Sequence, residues 1–256
     1  MNHFFTFDKG KKNKPVALVK GGESNGIKIY LTDDETSNTN FQDVELDKTS
    51  KFQPLPNPFT EREIFYISAP SGAGKSTFCK NFLDEYHKKY PDAPVYLFSA
   101  LKEDETLDKL DYIKRIKISP ALKEFQLEDV PKKCMFIFDD CDVITDKKSR
   151  DAVYMVMGMA LECGRHRSID ILSTNHLPTD KGNTRRILNE AHYIVYFPNS
   201  GQVRGINYLL ENYVGMDKKQ IKMIKGLNSR WACVYKHHPQ YILTEKNLFF
   251  FKDSEE

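Results

Sequence analysis

The segment with the clearest capacity for chemistry is 68–77, Ser-Ala-Pro-Ser-Gly-Ala-Gly-Lys-Ser-Thr. Small residues around Gly72 and Gly74 allow backbone N–H groups to surround a phosphate without a Cβ atom in the way. Lys75 would reach the β- and γ-phosphates of a nucleotide, and Ser76 would bring its hydroxyl to Mg²⁺. The segment therefore predicts a loop that binds a nucleoside triphosphate.

This loop departs at one position from the pattern G-x-x-x-x-G-K-[ST], because Ala69 stands at the first glycine. Alanine costs little there as long as its φ angle stays negative. The apolar run Ile64–Ile67 precedes the loop, and apolar residues at helical spacing follow it, which favours a strand–loop–helix unit over a Gly/Ser turn. The predicted nucleotide-binding residues are Ala69, Pro70, Ser71, Gly72, Ala73, Gly74, Lys75, Ser76 and Thr77.

Two carboxylates end the apolar run Met135–Phe138, and they form the second candidate group. Asp139 would hold Mg²⁺, directly or through water. Asp140 takes the place where many ATP hydrolases carry a glutamate that activates the attacking water. Because aspartate is one methylene shorter, Asp140 needs a closer approach or an intervening water to act as the general base. An ordinary acidic strand end is the alternative interpretation.

The third candidate group lies in segment 164–176, Gly-Arg-His-Arg-Ser-Ile-Asp-Ile-Leu-Ser-Thr-Asn-His. A strand there would end in Asn175, whose carboxamide can orient water or sense the γ-phosphate. Arg165 and Arg167 precede that strand, and we expect them beside the active-site edge. Either arginine could stabilise transferred charge across a subunit boundary, or could simply be a surface ion-pair partner.

Strand and helix candidates alternate from residue 64 onward. This alternation predicts an α/β fold of the P-loop NTPase (ASCE/RecA-like) type, with a mostly parallel central sheet flanked by helices. Ligands bind such sheets at the carboxyl ends of the strands, where the candidate groups fall. The predicted strands are Ile64–Ser68, Val95–Ser99, Tyr112–Ile118, Met135–Asp139, Ile169–Thr174 and Tyr193–Phe197, followed by a hairpin of Trp231–Tyr235 and Tyr241–Leu243. The predicted helices are Thr77–Tyr90, Ser119–Glu128, Ser149–Cys163, Thr184–Glu190, Val203–Tyr213 and Lys218–Leu227.

Residues 1–60 differ in pattern from the rest of the chain. We expect a mobile basic tail over 1–14, then a small β appendage formed by Val16–Val19 and Ile27–Leu31, and a proline-rich linker. Residues 61–256 would form the P-loop domain, with helices and a hairpin at its carboxyl end.

Composition excludes several classes of protein. The chain is 40% hydrophobic and 29% charged, and its longest apolar runs are too short to cross a bilayer, so we expect no membrane contact. The net charge is only +2, so any contact with nucleic acid must come from a local patch. The five scattered cysteines favour a reducing compartment. Zinc is disfavoured at Cys163, His166 and His176, because a fourth ligand is missing.

The order of these motifs resembles the FtsK–HerA superfamily of ring-forming, DNA-pumping ATPases. Within it, the chain is most similar to the genome-packaging ATPases of nucleocytoplasmic large DNA viruses, the poxvirus type. The resemblance rests on the phosphate loop, the Phe-Asp-Asp strand end, Gly-Arg-His at 164–166 and Ser-Thr-Asn-His at 173–176. It covers about Ile64 to Tyr235 and leaves residues 1–60 outside.

The resemblance implies an ATPase that uses ATP and Mg²⁺ to move double-stranded DNA into a capsid. It implies a homo-oligomeric ring of five or six subunits that docks on capsid or portal-vertex proteins, in the host cytoplasm at viral factories or with the virion. By resemblance, Asn175 stands where relatives often carry glutamine, and Arg165 is favoured over Arg167 as the arginine that acts on a neighbouring subunit.

Two other classes of function stay open at this point. A monomeric P-loop phosphotransferase, such as a nucleotide kinase, would need an arginine-rich lid, which the run Thr179–Arg186 could supply in short form. A nucleotide-gated interaction protein would bind ATP and hydrolyse it slowly. The two adjacent carboxylates Asp139 and Asp140 favour water activation, and DNA-stimulated ATP hydrolysis separates the motor from both alternatives.

Overall fold

The computed structural model describes residues 3–36, 39–179, 184–201 and 203–251. The strands among these residues are β1 Phe4–Thr6, β2 Lys14–Lys20, β3 Lys28–Thr32, β4 Asp43–Glu45, β5 Lys51–Pro54, β6 Ile64–Ser68, β7 Val95–Ser99, β8 Ile113–Ile116, β9 Cys134–Asp139, β10 Ile169–Asn175, β11 Tyr193–Tyr196, β12 Ala232–Tyr235, β13 Tyr241–Thr244 and β14 Asn247–Phe250. The α-helices are α1 Lys75–Lys89, α2 Lys147–Cys163, α3 Arg185–Glu190, α4 Val203–Val214 and α5 Lys218–Lys225.

Ten of the strands form one central sheet in the order β4-β14-β13-β12-β11-β6-β10-β9-β7-β8. The run from β11 to β8 is parallel throughout, and β12, β13, β14 and β4 extend it with antiparallel pairs. This arrangement confirms the predicted α/β fold with a mostly parallel sheet. Strand β6, which leads into the phosphate loop, lies between β11 and β10, so the carboxyl ends of three parallel strands meet beside that loop.

Apolar side chains cover both faces of the central sheet. On one face, Phe82 of α1 packs in the same core as Phe5 and Phe52 from the four-stranded sheet β1-β3-β2-β5. On the other face, residues of α2 and α4, such as Val156 and Leu209, pack against the sheet. The predicted helices on both faces are therefore confirmed.

Helix α1 begins directly after the phosphate loop. Its residues Phe78, Phe82 and Tyr86 recur every fourth position and are buried, as an amphipathic helix against a sheet requires. The last turn is basic, with His87, Lys88 and Lys89, which suits the negative end of the helix dipole. The amino end of the helix, with its partial positive charge, therefore lies at the carboxyl edge of the sheet.

The predicted helix Ser119–Glu128 is wrong. The segment instead forms two short 3₁₀ turns, Pro120–Glu124 and Leu127–Asp129. Between them Phe125 and Gln126 adopt extended backbone angles, and Gln126 forms a capping box for the second turn. The local capping bonds determine the backbone here instead of the helical periodicity. The segment is short and buries little apolar surface, and a continuous helix would need that burial to be stable.

The amino-terminal region is more ordered than the predicted tail and linker. Strands β2 and β3 confirm the two predicted strands, but Phe4–Thr6 of the expected tail forms β1 and pairs with β3. Strand β4 joins the central sheet through β14. The expected linker is packed rather than free: Leu55 is buried, and the Asn57 N–H donates to Oε2 of Glu63 at 2.9 Å. The division of the chain at residue 60 stays a prediction.

Among the described residues, no helix is long and apolar enough to cross a membrane.

Candidate active site

The register of the central sheet brings the three candidate groups to one edge, apart from the arginines. Asn175 of β10 is opposite Ser68 of β6, and Thr174 is opposite Asp139 of β9. The backbone extends this alignment into the phosphate loop, because the Ala69 N–H donates to the carbonyl oxygen of Asn175 at 3.1 Å. The phosphate loop, Asp139 and Asp140 therefore lie at the carboxyl ends of neighbouring parallel strands.

The phosphate loop has the backbone that its sequence predicts. Gly72 and Gly74 have φ angles of 77° and 113°, in the left-handed region that favours glycine. Ala69 is fully buried and is not among the described residues with positive φ, so alanine is tolerated at this position. Nζ of Lys75 donates to the carbonyl oxygen of Ala69 at 3.0 Å and lies 3.4 Å from Oδ1 of Asp140. The lysine is thus held inside the loop by its own chain.

Asp139 is buried and receives two hydroxyl hydrogen bonds. Ser99 donates to Oδ2 at 2.8 Å, and Thr174 donates to Oδ1 at 2.7 Å. Burial raises the pKa of Asp139, and the nearby carboxylates of Asp140 and Asp104 raise it further. A cation at this edge would favour the ionised form of these crowded acids.

The structure adds Asp104 to the candidate site, which the sequence did not indicate. Asp104 lies in the loop after β7, and its Oδ2 accepts a hydrogen bond from the Ser76 hydroxyl at 2.9 Å. Its other oxygen accepts the Thr106 and Leu107 N–H groups, which holds the loop in a turn. Nothing in the sequence marks Asp104, because a single acidic residue in a loop belongs to no motif with a fixed spacing. The strand order shows its place, since β7 lies beside β9 and the loop after β7 therefore borders the site.

The donor atoms at this edge fit Mg²⁺. The hydroxyl of Ser76 and the carboxylate of Asp139 are hard oxygen donors, which this ion prefers, and the carboxylate of Asp104 adds negative charge beside them. We therefore retain Ser76 and Asp139 as the residues that would hold Mg²⁺. Nowhere in the described parts of the chain, this edge included, do three His, Cys, Asp or Glu side chains form a group that could hold a metal ion by themselves.

Asp140 stands at the centre of a polar network. Its backbone is left-handed, with φ of 48° and ψ of 35°. Its Oδ2 lies 3.0 Å from Nε2 of His176, and its Oδ1 lies 3.3 Å from the Thr174 hydroxyl. Together with Lys75, these contacts point the carboxylate toward the phosphate loop, where a general base would have to be.

Asn175 is buried at the end of β10, and its Nδ2 donates to the Ser173 hydroxyl at 3.1 Å. This bond fixes the carboxamide beside the loop, since Asn175 pairs with Ser68 in the sheet. The position suits the water-orienting or γ-phosphate-sensing role predicted for Asn175, and that role stays a proposal.

The expectation that the two arginines lie beside the active-site edge is wrong. Arg165 and Arg167 form a 3₁₀ turn at the amino end of β10, so the whole strand, about 20 Å long, separates them from Asn175. Nη2 of Arg167 donates to the Val130 carbonyl oxygen at 2.6 Å, whereas Arg165 is exposed and pairs with Glu61 at 3.1 Å. Neither arginine can reach the phosphate loop of its own subunit.

One relative has closely similar sequence. The chain is 40% identical over 237 residues to the uncharacterized protein V3 of Sputnik virophage, covering 92% of this chain and 94% of V3. The chain belongs to the family of V3. No family model matches the chain.

Solved structures extend the comparison at the level of the fold. The pCW3 conjugation coupling protein TcpA, determined with ATPγS, is 13% identical, with a TM-score of 0.52 over 97% of this chain and 88% of TcpA. B204, the DNA-packaging ATPase of Sulfolobus turreted icosahedral virus, is 14% identical, with a TM-score of 0.47 over 73% of this chain and 98% of B204. The chain therefore shares the fold of TcpA, which is the fold expected from the resemblance to the FtsK–HerA superfamily. Its assignment to the poxvirus branch stays a prediction.

Proposed function

We propose that this chain is an ATP-hydrolysing motor that moves double-stranded viral DNA into a capsid. One observation carries the proposal: Lys75 and Asp140 are 3.4 Å apart where the phosphate loop meets the carboxyl ends of β9 and β10. This is the arrangement that a nucleotide hydrolase needs, with a cation for the phosphates beside a carboxylate for the attacking water. The fold and the viral relative V3 support the motor class over a nucleotide kinase.

The proposed reaction begins from the contacts already present. A triphosphate bound in the loop would attract Lys75 away from Asp140, because three phosphates carry more negative charge than one carboxylate. Asp140 would then be free to accept a proton from a water molecule as that water attacks the γ-phosphorus and ADP leaves. Thr174 and His176 would keep the carboxylate in place. Mg²⁺, held by Ser76 and Asp139, would offset charge on the phosphate oxygens.

Hydrolysis in a ring would require a charge from the neighbouring subunit. Arg165 is exposed and lies at the sheet edge opposite to its own phosphate loop, so it can meet only another subunit's nucleotide. Arg167 is less suitable, because its guanidinium is bound to the backbone of its own chain. We therefore keep Arg165 as the proposed trans-acting arginine in a pentameric or hexameric ring that docks on capsid or portal-vertex proteins, in viral factories or with the virion.

Mixed rings test this assignment. We expect Arg165→Ala and Lys75→Ala subunits to be inactive separately and to recover part of the ATPase rate when mixed, because some interfaces then combine an intact loop with an intact arginine. A trans-acting arginine contributes ~10³-fold to the rate of phosphoryl transfer, so partial rescue is measurable. Exchange of labelled subunits confirms that mixed rings form. Mixed rings without activity would contradict the role of Arg165.

The motor function itself is tested by ATP-driven movement along DNA. We expect the protein to displace a labelled third strand from a duplex when ATP is present and to leave it bound with ADP. ATP hydrolysis without displacement on any duplex would leave an ATPase but contradict the translocation proposal.

A further inference from the structure

Strand β12 brings a second segment of the chain to the phosphate loop. Tyr196 of β11 pairs with Ser68 of β6 on one side and with Ala232 of β12 on the other. Because β12 is antiparallel, the residues that precede Ala232 lie at the same edge of the sheet as the residues that follow Ser68. Arg230 is two residues before Ala232, so the topology places it beside the phosphate loop.

The side chain of Arg230 extends over Gly74. A Cβ atom built on Gly74 would lie 3.3 Å from Nη2 of Arg230 and 3.5 Å from Cε1 of Phe197. Across the residues that the structure describes, the Arg230 guanidinium forms no ion pair with a carboxylate. Lys75, in contrast, is already paired with Asp140. The phosphate loop therefore contains Lys75 and is bordered by Arg230, and of these two cations Arg230 has no carboxylate partner among the described residues.

The backbone around Arg230 is firmly held. The Arg230 N–H donates to Oε2 of Glu245 at 2.9 Å. The buried Ser229 hydroxyl donates to the Trp231 carbonyl oxygen at 2.6 Å and accepts the Glu245 N–H at 3.0 Å. The Trp231 ring packs edge-on against Phe78 of α1, with 5.1 Å between ring centroids. These contacts tie the position of Arg230 to the helix that begins at the phosphate loop.

We infer that Arg230 is a phosphate-binding residue that acts on the nucleotide of its own subunit. A guanidinium binds phosphate oxygens through two parallel N–H groups. A bound phosphate would give Arg230 the anionic partner that no carboxylate of the described residues provides. Backbone amides of such a loop surround the α- and β-phosphates, so Arg230, above Gly74, would contact these phosphates rather than the γ-phosphate. This inference rests on the proposed ATP site and adds to it a residue distinct from the trans-acting Arg165.

If Arg230 binds the α- and β-phosphates, its replacement should weaken the binding of ATP and ADP alike. We expect Arg230→Gln to raise the Kd for both nucleotides by ~10-fold or more, since each charge-assisted hydrogen bond contributes strongly to binding. Pyrophosphate should compete with a fluorescent nucleotide correspondingly less well, and Arg230→Lys should recover part of the affinity. Arg186→Gln is the matched control, because Arg186 is exposed on α3 and pairs with Glu162.

The outcomes separate this inference from the proposed function. Unchanged Kd values for Arg230→Gln, beside normal binding by the wild type, would overturn the role of Arg230 alone. A loss for ATP and ADP without a loss for pyrophosphate would also overturn it, because the contact would then be to the nucleoside. If the wild type binds no nucleotide, the proposed ATP site fails as well. Equal melting temperatures of the variants and the wild type exclude misfolding as the cause.

Discussion

Lys75→Ala is expected to reduce ATP turnover to the background of the assay. Lys75 is the one cation within the described phosphate loop, residues 69–77, and Arg230, which we place at the α- and β-phosphates, would not offset charge on the γ-phosphate. The fold should persist, because within the described chain the polar contacts of the Lys75 amine are to the carbonyl oxygen of Ala69 and the carboxylate of Asp140, both in the site itself. Steady-state phosphate release measures the loss, and thermal unfolding measures the fold.

Lys80→Ala is the matched control for this prediction. Lys80 lies on the same helix and forms a partly exposed pair with Asp84, so its loss should leave turnover unchanged. A Lys75→Ala protein that hydrolyses ATP at the wild-type rate would show that the phosphate loop is not the active site.

Asp140→Asn is expected to retain binding of Mg·ATP and to lose ~10²-fold or more in turnover. Asparagine is nearly isosteric, and it tolerates the left-handed backbone of this residue, where φ is 48°. The substitution therefore removes the proton acceptor without straining the turn. Nucleotide affinity and single-turnover hydrolysis, measured on the same preparation, separate binding from chemistry.

Asp139→Asn should act differently from Asp140→Asn. Asp139 is proposed to hold Mg²⁺, so its loss should raise the Mg²⁺ concentration needed for half-maximal turnover. Asp146→Asn is a control for the loss of one carboxylate, because Asp146 caps α2 and asparagine caps helices equally well. Small and equal effects at both positions would show that the two roles are misassigned.

Much of the site could be predicted because its reactive side chains lie at the carboxyl ends of strands. The apolar runs Ile64–Ile67 and Met135–Phe138 each terminate in polar residues, and parallel strands collect their carboxyl ends at one edge. Local pattern was also sufficient for α1, whose buried positions recur every four residues. These features depend on short-range periodicity, which a sequence displays directly.

The remaining features depend on which strands become neighbours. Asp104 and Arg230 join the site only because β7 lies beside β9, and because antiparallel β12 lies beside β11. The distance of Arg165 from its own site has the same origin, since it precedes β10 while Asn175 ends it. Arg165 and Asn175 are close in sequence, which suggested that they lie at the same edge of the sheet. Strand β10 runs between them, so they lie at its opposite ends.

The most direct test of the central claim is the ATPase rate of the purified wild-type protein with and without double-stranded DNA. If the chain is a DNA motor, the rate should rise on addition of duplex DNA, and the rise should vanish in the Lys75→Ala variant. The same rate with and without DNA, in a protein that stays monomeric with ATP and DNA present, would contradict the motor and favour a phosphotransferase.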